Sequence, residues 1–179
     1  MVQVWPSQRN VLDARPLDVP SPNLTVTMPT SAGKTHLAEW AIIHALSDRR
    51  RGDDSSTLAV HVVPSRALAG EIERNLSRSL GAVGLRVSGL FGGSEHVQYE
   101  LRLIDTIDVL VVTGEKLELL MRNDDAIAGR MVLLVADEGH LLGERDRGLR
   151  LELVVTRVLR HAPKARVLLL SAVLPKRGS

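Results

Sequence analysis

Met28-Pro29-Thr30-Ser31-Ala32-Gly33-Lys34-Thr35 separates two segments of opposite character. Before it runs Leu24-Thr25-Val26-Thr27, short, apolar and β-branched. After it Leu37, Ala41 and Ala45 recur on one helical face, with Trp40 and Ile43 beside them. The spacing predicts a strand, a tight turn and a helix. Backbone N–H groups of such a turn converge on an anion, and the helix N-terminus adds partial positive charge. Ala32 and Gly33 keep the turn small, Lys34 supplies a cation for the terminal phosphates, and Thr35 supplies a hydroxyl for Mg²⁺. The segment from Pro29 to Thr35 is therefore expected to cradle a nucleotide. It departs from the usual pattern at one place, since Met28 stands where such loops begin with Gly or Ala.

The same strand-then-helix alternation continues along the chain. Apolar, β-branched runs recur at Leu24–Met28, Leu58–Val63, Leu85–Leu90, Ile107–Val112, Val132–Ala136 and Arg166–Leu170. Helical spacing appears between most of them, at Ala67, Ile72, Leu76 and Leu80, and at Leu151, Val154, Val155, Val158 and Leu159. Short continuous apolar strands alternating with helices imply an α/β domain whose parallel sheet is covered on both faces. Asp48 to Thr57, with Arg49, Arg50 and Arg51, is a polar surface loop. No repeat or linker divides residues 1–179, so one domain is expected.

Composition narrows the function classes. With no cysteine among 179 residues, disulfides and thiolate metal sites are excluded and an intracellular, cytoplasmic setting is expected. No apolar run approaches the roughly 18 residues of a membrane span, and the N-terminus lacks a signal-peptide core. The net charge is only +2, and the four aromatics are Trp5, Trp40, Phe91 and Tyr99. A protein that grips single strands by stacking bases needs more of them, so any nucleic-acid contact should fall on phosphates and sugars.

A second carboxylate element stands at Val132 to Leu142, VLLVADEGHLL. Its apolar residues deliver Asp137 and Glu138 to the C-terminal end of a strand, where open α/β sheets bind ligands. Asp137 is placed to hold Mg²⁺ through its water shell. Glu138 is placed to orient and deprotonate an attacking water.

Together these elements resemble a known family. Asp137-Glu138-Gly139-His140 is a DExH box, and with the phosphate loop it resembles superfamily 2 helicases. The similarity is to the branch that contains archaeal repair helicases and exosome-associated RNA helicases. Trp5-Pro6-Ser7-Gln8 looks like the family's Q motif, and Val63 to Glu71 resembles motif Ia. Phe91-Gly92-Gly93 occupies the place of the glycine pair that approaches the nucleic-acid backbone. Val112 to Leu117 resembles motif Ib, with Gly114 where Pro is usual. Leu170 to Pro175 resembles motif III, with Val173 where many members have Thr.

The resemblance implies a RecA-like P-loop NTPase fold, a three-layer α/β/α sandwich around a mostly parallel sheet. It implies ATP and Mg²⁺ as ligands, with Gln8 matching the adenine edge through its paired donor and acceptor. Lys34, Asp137, Glu138 and His140 are the implied catalytic set. Ser65, Arg66, Gly92, Gly93, Thr113 and Gly114 are the implied contacts to single-stranded nucleic acid, DNA or RNA, through its phosphates. Ser171, Ala172 and Val173, with His140, would couple the nucleotide site to the nucleic-acid path. A second RecA-like domain of the same protein is implied as partner, with no role for a membrane. This chain is then the first motor domain of a longer helicase, unable to unwind a duplex alone. The rivals are a translocase that does not separate strands and a degenerate regulatory nucleotide-binding module.

Overall fold

The apolar runs become six strands of one sheet. The computed structural model describes residues 23–28, 33–50, 57–92, 97–137, 139 and 147–172. The strands are β1 (Asn23–Thr27), β2 (Leu58–Val63), β3 (Val87–Leu90), β4 (Val109–Thr113), β5 (Met131–Ala136) and β6 (Arg166–Ser171). Their order is β1-β6-β5-β2-β4-β3, and every neighbouring pair is parallel. The helices are α1 (Lys34–Arg50), α2 (Arg66–Gly81), α3 (Val97–Ile104), α4 (Gly114–Asn123), α5 (Ala126–Arg130) and α6 (Arg147–His161).

Parallel strands need crossovers, and the crossovers cover both faces of the sheet. Two apolar clusters result. One joins Leu37, Ala41 and Ile42 of α1 and Ile72, Leu76 and Leu80 of α2 to Ala59, Val63, Val111 and Val135 of the sheet. The other joins Ile104 of α3, Leu117 and Leu120 of α4, Ile127 of α5, and Val154 and Val158 of α6 to Val60, Val62, Val112 and Leu134. Side chains alternate along each strand, so consecutive residues of β2 feed opposite clusters. All six residues of β2 and all six of β5 are buried, which is why their sequences read as near-continuous apolar runs, with His61 as the one polar residue in β2.

Several details differ from the sequence reading. α1 runs to Arg50, so Asp48, Arg49 and Arg50 end a helix rather than open a loop. The strands expected from Leu85 and Ile107 begin two residues later. Arg86 and Asp108 clamp the two chain entries, with Arg86 N donating to Asp108 Oδ2 at 2.8 Å and Asp108 N donating to Arg86 O at 2.9 Å. Leu85 and Ile107 are buried below that clamp rather than paired in the ladder. On α6 the buried positions are Leu151, Val154 and Val158, while Leu159 is 43% exposed, one step around the helix. On α2 Ala67 is exposed and Ala69 takes the inward position.

The outer strand β3 is guarded along its free edge. Gly89 N donates to Glu73 Oε1 of α2 at 2.9 Å, occupying a backbone donor that an edge otherwise presents to other chains. A Cβ at Gly89 would stand 2.2 Å from Phe91 Cε1 and 2.8 Å from Glu73 Oε2, so the glycine makes room for both side chains.

Candidate nucleotide and nucleic-acid site

The strand register lines the motif residues along one edge of the sheet. Thr27 pairs with Ser171, Val62 with Ala136, and Val63 with Thr113. The phosphate loop, Ser171, Asp137, Ser65 and Thr113 thus all follow strand C-terminal ends, the side on which open α/β sheets take ligands.

Gly33 has φ 83°, a left-handed conformation that glycine adopts without the steric penalty of a Cβ. Lys34 opens α1, a 17-residue helix with no acidic residue in its first turn. It is 8% exposed, and it makes no ion pair among the described residues. A buried ammonium at a helix N-terminus, without a counter-charge, is electrostatically incomplete until an anion arrives. Thr35 follows, half-buried. Met28 is 2% exposed and its side chain belongs to the α1–α2 cluster, so the departure from glycine sends bulk into the core. Its N–H donates to Ser171 O at 2.9 Å, which ties the entrance of the loop to the end of β6. Ser171 itself is fully buried, and Ala172 is half-exposed beside it.

Asp137 leaves β5 with its N–H donating to Val62 O of β2 at 3.1 Å. By strand alternation its side chain is on the α1 face, the face of Val135. These features fit a Mg²⁺-bound nucleoside triphosphate: a cation and a helix N-terminus for the phosphates, and a carboxylate for the metal's water shell. Gly139 is buried against β6. A Cβ there would lie 3.3 Å from Leu170 O and 3.6 Å from Leu169 Cβ, so the turn of the DExH box sits directly on the strand that ends in Ser171.

Among the residues expected to meet nucleic acid, Ser65 caps α2. Its Oγ accepts from Leu68 N at 3.3 Å, and both Ser65 and Arg66 are exposed. Thr113 precedes α4 with its hydroxyl unused in capping, and is half-buried. Gly114 is not sterically required, since a Cβ there would meet Val154 Cγ2 and Val62 Cγ1 at 3.7 and 4.0 Å, ordinary contacts. Gly92 is exposed, with nothing within 4 Å of an added Cβ, so the fold itself does not demand glycine there. Gln8, Pro29, Thr30, Ser31, Ala32, Gly93, Glu138, His140 and Val173 lie outside the described residues.

The sequence reading passed over His61, in the middle of β2. It is 1% exposed, and neither imidazole nitrogen has a hydrogen-bond partner. The signal was a single polar residue inside the apolar run Leu58-Ala59-Val60-His61-Val62-Val63. Burial pushes its pKa down from 6.5 to about 4, against the Asp137 carboxylate, which pulls it upward. An unfolded chain therefore binds a proton that the folded one refuses between those values. Stability rises with pH across this window and is lost as pH falls from 6.5 toward 4. The contribution is about 3 kcal/mol at 1.36 kcal/mol per pH unit. Urea denaturation of His61→Leu at pH 4.5 and pH 7 should show a flatter pH dependence than the parent chain. An unchanged slope would mean that His61 is protonated equally in both states.

The chain is 33% identical to the Hachiman protein HamB of Bacillus cereus over 177 residues, 98% of this chain and 15% of that protein. It is 34% identical to the ATP-dependent DNA helicase Hel308 of Thermoplasma volcanium over 152 residues, 85% of this chain and 21% of that one. It is also 34% identical to the pre-mRNA-splicing factor brr2 of Schizosaccharomyces pombe, covering 86% of this chain and 7% of that protein. The chain thus spans between 7% and 21% of the length of these relatives. A crystal structure of a hypothetical ATP-dependent RNA helicase from Sulfolobus tokodaii superposes with a TM-score of 0.72 at 16% identity, over 98% of this chain and 48% of that one. That likeness establishes the RecA-like fold. Residues 5–178 match the DEAD/DEAH box helicase family, and the chain belongs to it.

Proposed function

We propose that this chain is the first, ATP-binding motor domain of a nucleic-acid helicase, and that it works against a second RecA-like domain of the same protein. The observation that carries this reading is the buried Lys34 at the head of α1, without an ion pair among the described residues, with Asp137 at the end of β5 on the same sheet face. Lys34, the backbone around Gly33 and the N-terminus of α1 hold the phosphates of ATP. Thr35 and Asp137 hold Mg²⁺, which when bound neutralises charge developing on the transferred phosphoryl group. Glu138 orients the attacking water and takes its proton. Gln8 selects adenine.

Ser65, Arg66, Gly92 and Thr113 follow the ends of β2, β3 and β4, next to one another in the sheet, and hold successive phosphates of a single strand without reading bases. The tie from Met28 N to Ser171 O, and the seat of Gly139 on Leu170, join the phosphate loop, the DExH box and motif III. A shift in one of these elements on hydrolysis is thereby felt by the other two. Arginines from the second domain complete the ATP site, a contribution of about a thousandfold or more in rate.

The test is ATP binding and turnover, with GTP as competitor and with single-stranded DNA or RNA added. In the protein carrying both motor domains, Glu138→Gln should keep ATP affinity and lose on the order of a hundredfold or more in turnover. Nucleic acid should stimulate the parent and not the variant. Turnover unaffected by Glu138→Gln would favour a regulatory nucleotide-binding module. Vigorous duplex unwinding by residues 1–179 alone would remove the need for the second domain.

A further inference from the structure

We propose that His61 is a positioning residue of the nucleotide site: its neutral imidazole donates an N–H to the Asp137 carboxylate and fixes that carboxylate's orientation when Mg²⁺ and nucleotide are bound. The inference rests on the ATP-binding reading above and extends it to a residue that none of the helicase motifs contains.

The geometry begins with the register. His61 of β2 stands opposite Val135 of β5, and Asp137 is two residues further along the same strand. Residues two apart share a face, so His61 and Asp137 are diagonal neighbours on the face covered by α1. Backbones so related lie about 7–8 Å apart, a gap that a long side chain on one strand reaches across. The bond from Asp137 N to Val62 O pins the Asp137 backbone to the strand that carries His61.

The chemistry points the same way. A neutral imidazole has one N–H to donate and one bare nitrogen. His61 holds both within an apolar layer, between Ala59 and Val63 of its own strand's face and Val111 and Val135 on either side. A residue whose task was only to fill that volume would be apolar, because an imidazole with no partner is poorer there than leucine. Among the described residues the charge that acts on His61 is Asp137, and burial keeps the ring neutral, so it offers a donor without adding a second cation beside the metal. Carboxylates that hold metals are themselves held by a further hydrogen bond, and loss of that bond costs roughly 10- to 100-fold in metal affinity.

The experiment titrates Mg²⁺ into this chain in the presence of ATP, for the parent, His61→Leu and His61→Gln, and compares ATP affinity in EDTA. His61→Leu should melt at or above the parent temperature at pH 7 and bind ATP in EDTA equally well. Its Mg²⁺ affinity with ATP present should fall roughly 10- to 100-fold. His61→Gln, which retains an N–H donor, should recover most of that loss. A folded His61→Leu with the parent's Mg²⁺ dependence would overturn the proposal. Imidazole ¹H–¹⁵N spectra of the parent give the answer without any variant. The His61 N–H proton should move downfield with ATP and Mg²⁺ together and not with ATP alone, and an unmoved signal overturns the proposal. If the parent chain binds no ATP at all, the ATP-binding reading fails first, a result distinct from either outcome at His61.

Discussion

Replacing Lys34 with methionine will remove ATP turnover while leaving the domain at least as stable as before. The two effects have one cause. Lys34 is 8% exposed, with no ion pair among the described residues, at the positive end of a helix whose first turn has no carboxylate. In the absence of nucleotide this is an unfavourable place for a cation, since the helix dipole alone opposes it by about 0.3–1 kcal/mol. Methionine keeps the aliphatic stem and deletes the charge. A gain of about 1 kcal/mol is expected, which for a domain of this size raises the melting temperature by about 2–4 °C.

With ATP the sign reverses. A charge-assisted hydrogen bond to phosphate contributes about 1.5–3 kcal/mol, so affinity should fall roughly 10- to 100-fold. Deleting a donor aimed at charge that develops in the transition state costs about 10²–10³ more in rate. Together kcat/KM should drop by roughly 10³–10⁵. Thermal melting with and without ATP reads both effects: the parent is stabilised by ATP and the variant is not. A variant that melts well below the parent, or that is still stabilised by ATP, would show that Lys34 serves the fold and not the nucleotide.

How much of this was legible beforehand follows from burial. β2 and β5 were readable because both of their faces are covered, so nearly every residue is apolar and the run has sharp ends. β3 and β4 were read two residues too early because Leu85 and Ile107 are apolar plugs beneath the Arg86–Asp108 clamp, and an apolar residue does not say whether its backbone is paired. The helices α3, α4 and α5 were not located. They have 8, 10 and 5 residues, and the first two turn a charged side chain inward, Glu100 in α3 and Lys116 in α4. Helices of this length offer too few turns for an apolar period to stand out.

The nucleotide site was legible for a different reason. A backbone cradle, a cation and a carboxylate must follow particular strand ends, and the sequence displays those ends. His61 was hidden because its neighbours in space come from β4 and β5, and nothing local marks it beyond one polar residue in an apolar run. Met28 shows the converse. It stands as a departure from the loop pattern, yet its side chain belongs to the core.

Glu100→Ala should be the most destabilising single change outside the apolar core. Lys116 Nζ lies 2.6 Å from Glu100 Oε2, with side-chain exposures of 3% and 12%. The approach is off the hydrogen-bonding direction, so charge attraction holds the contact. Removing Glu100 takes a carboxylate from a buried lysine that keeps a further interaction, a change that costs about 2–3 kcal/mol. The melting temperature should fall by about 4–12 °C at 2–4 °C per kcal/mol. The paired change Glu100→Met with Lys116→Met should restore most of the loss, because a buried ion pair and an apolar pair of similar volume are close in energy. Double-mutant analysis by urea denaturation separates the two. If Glu100→Ala costs less than about 1 kcal/mol, water screens the pair and it is no anchor. The consequence reaches the nucleic-acid edge. α3 leads away from the Gly92 turn, and α4 begins at Gly114, directly after Thr113. The pair therefore fastens the helix behind one proposed phosphate contact to the helix behind the other. Glu100→Ala is expected to weaken nucleic-acid binding more than ATP binding at temperatures where the chain is still folded.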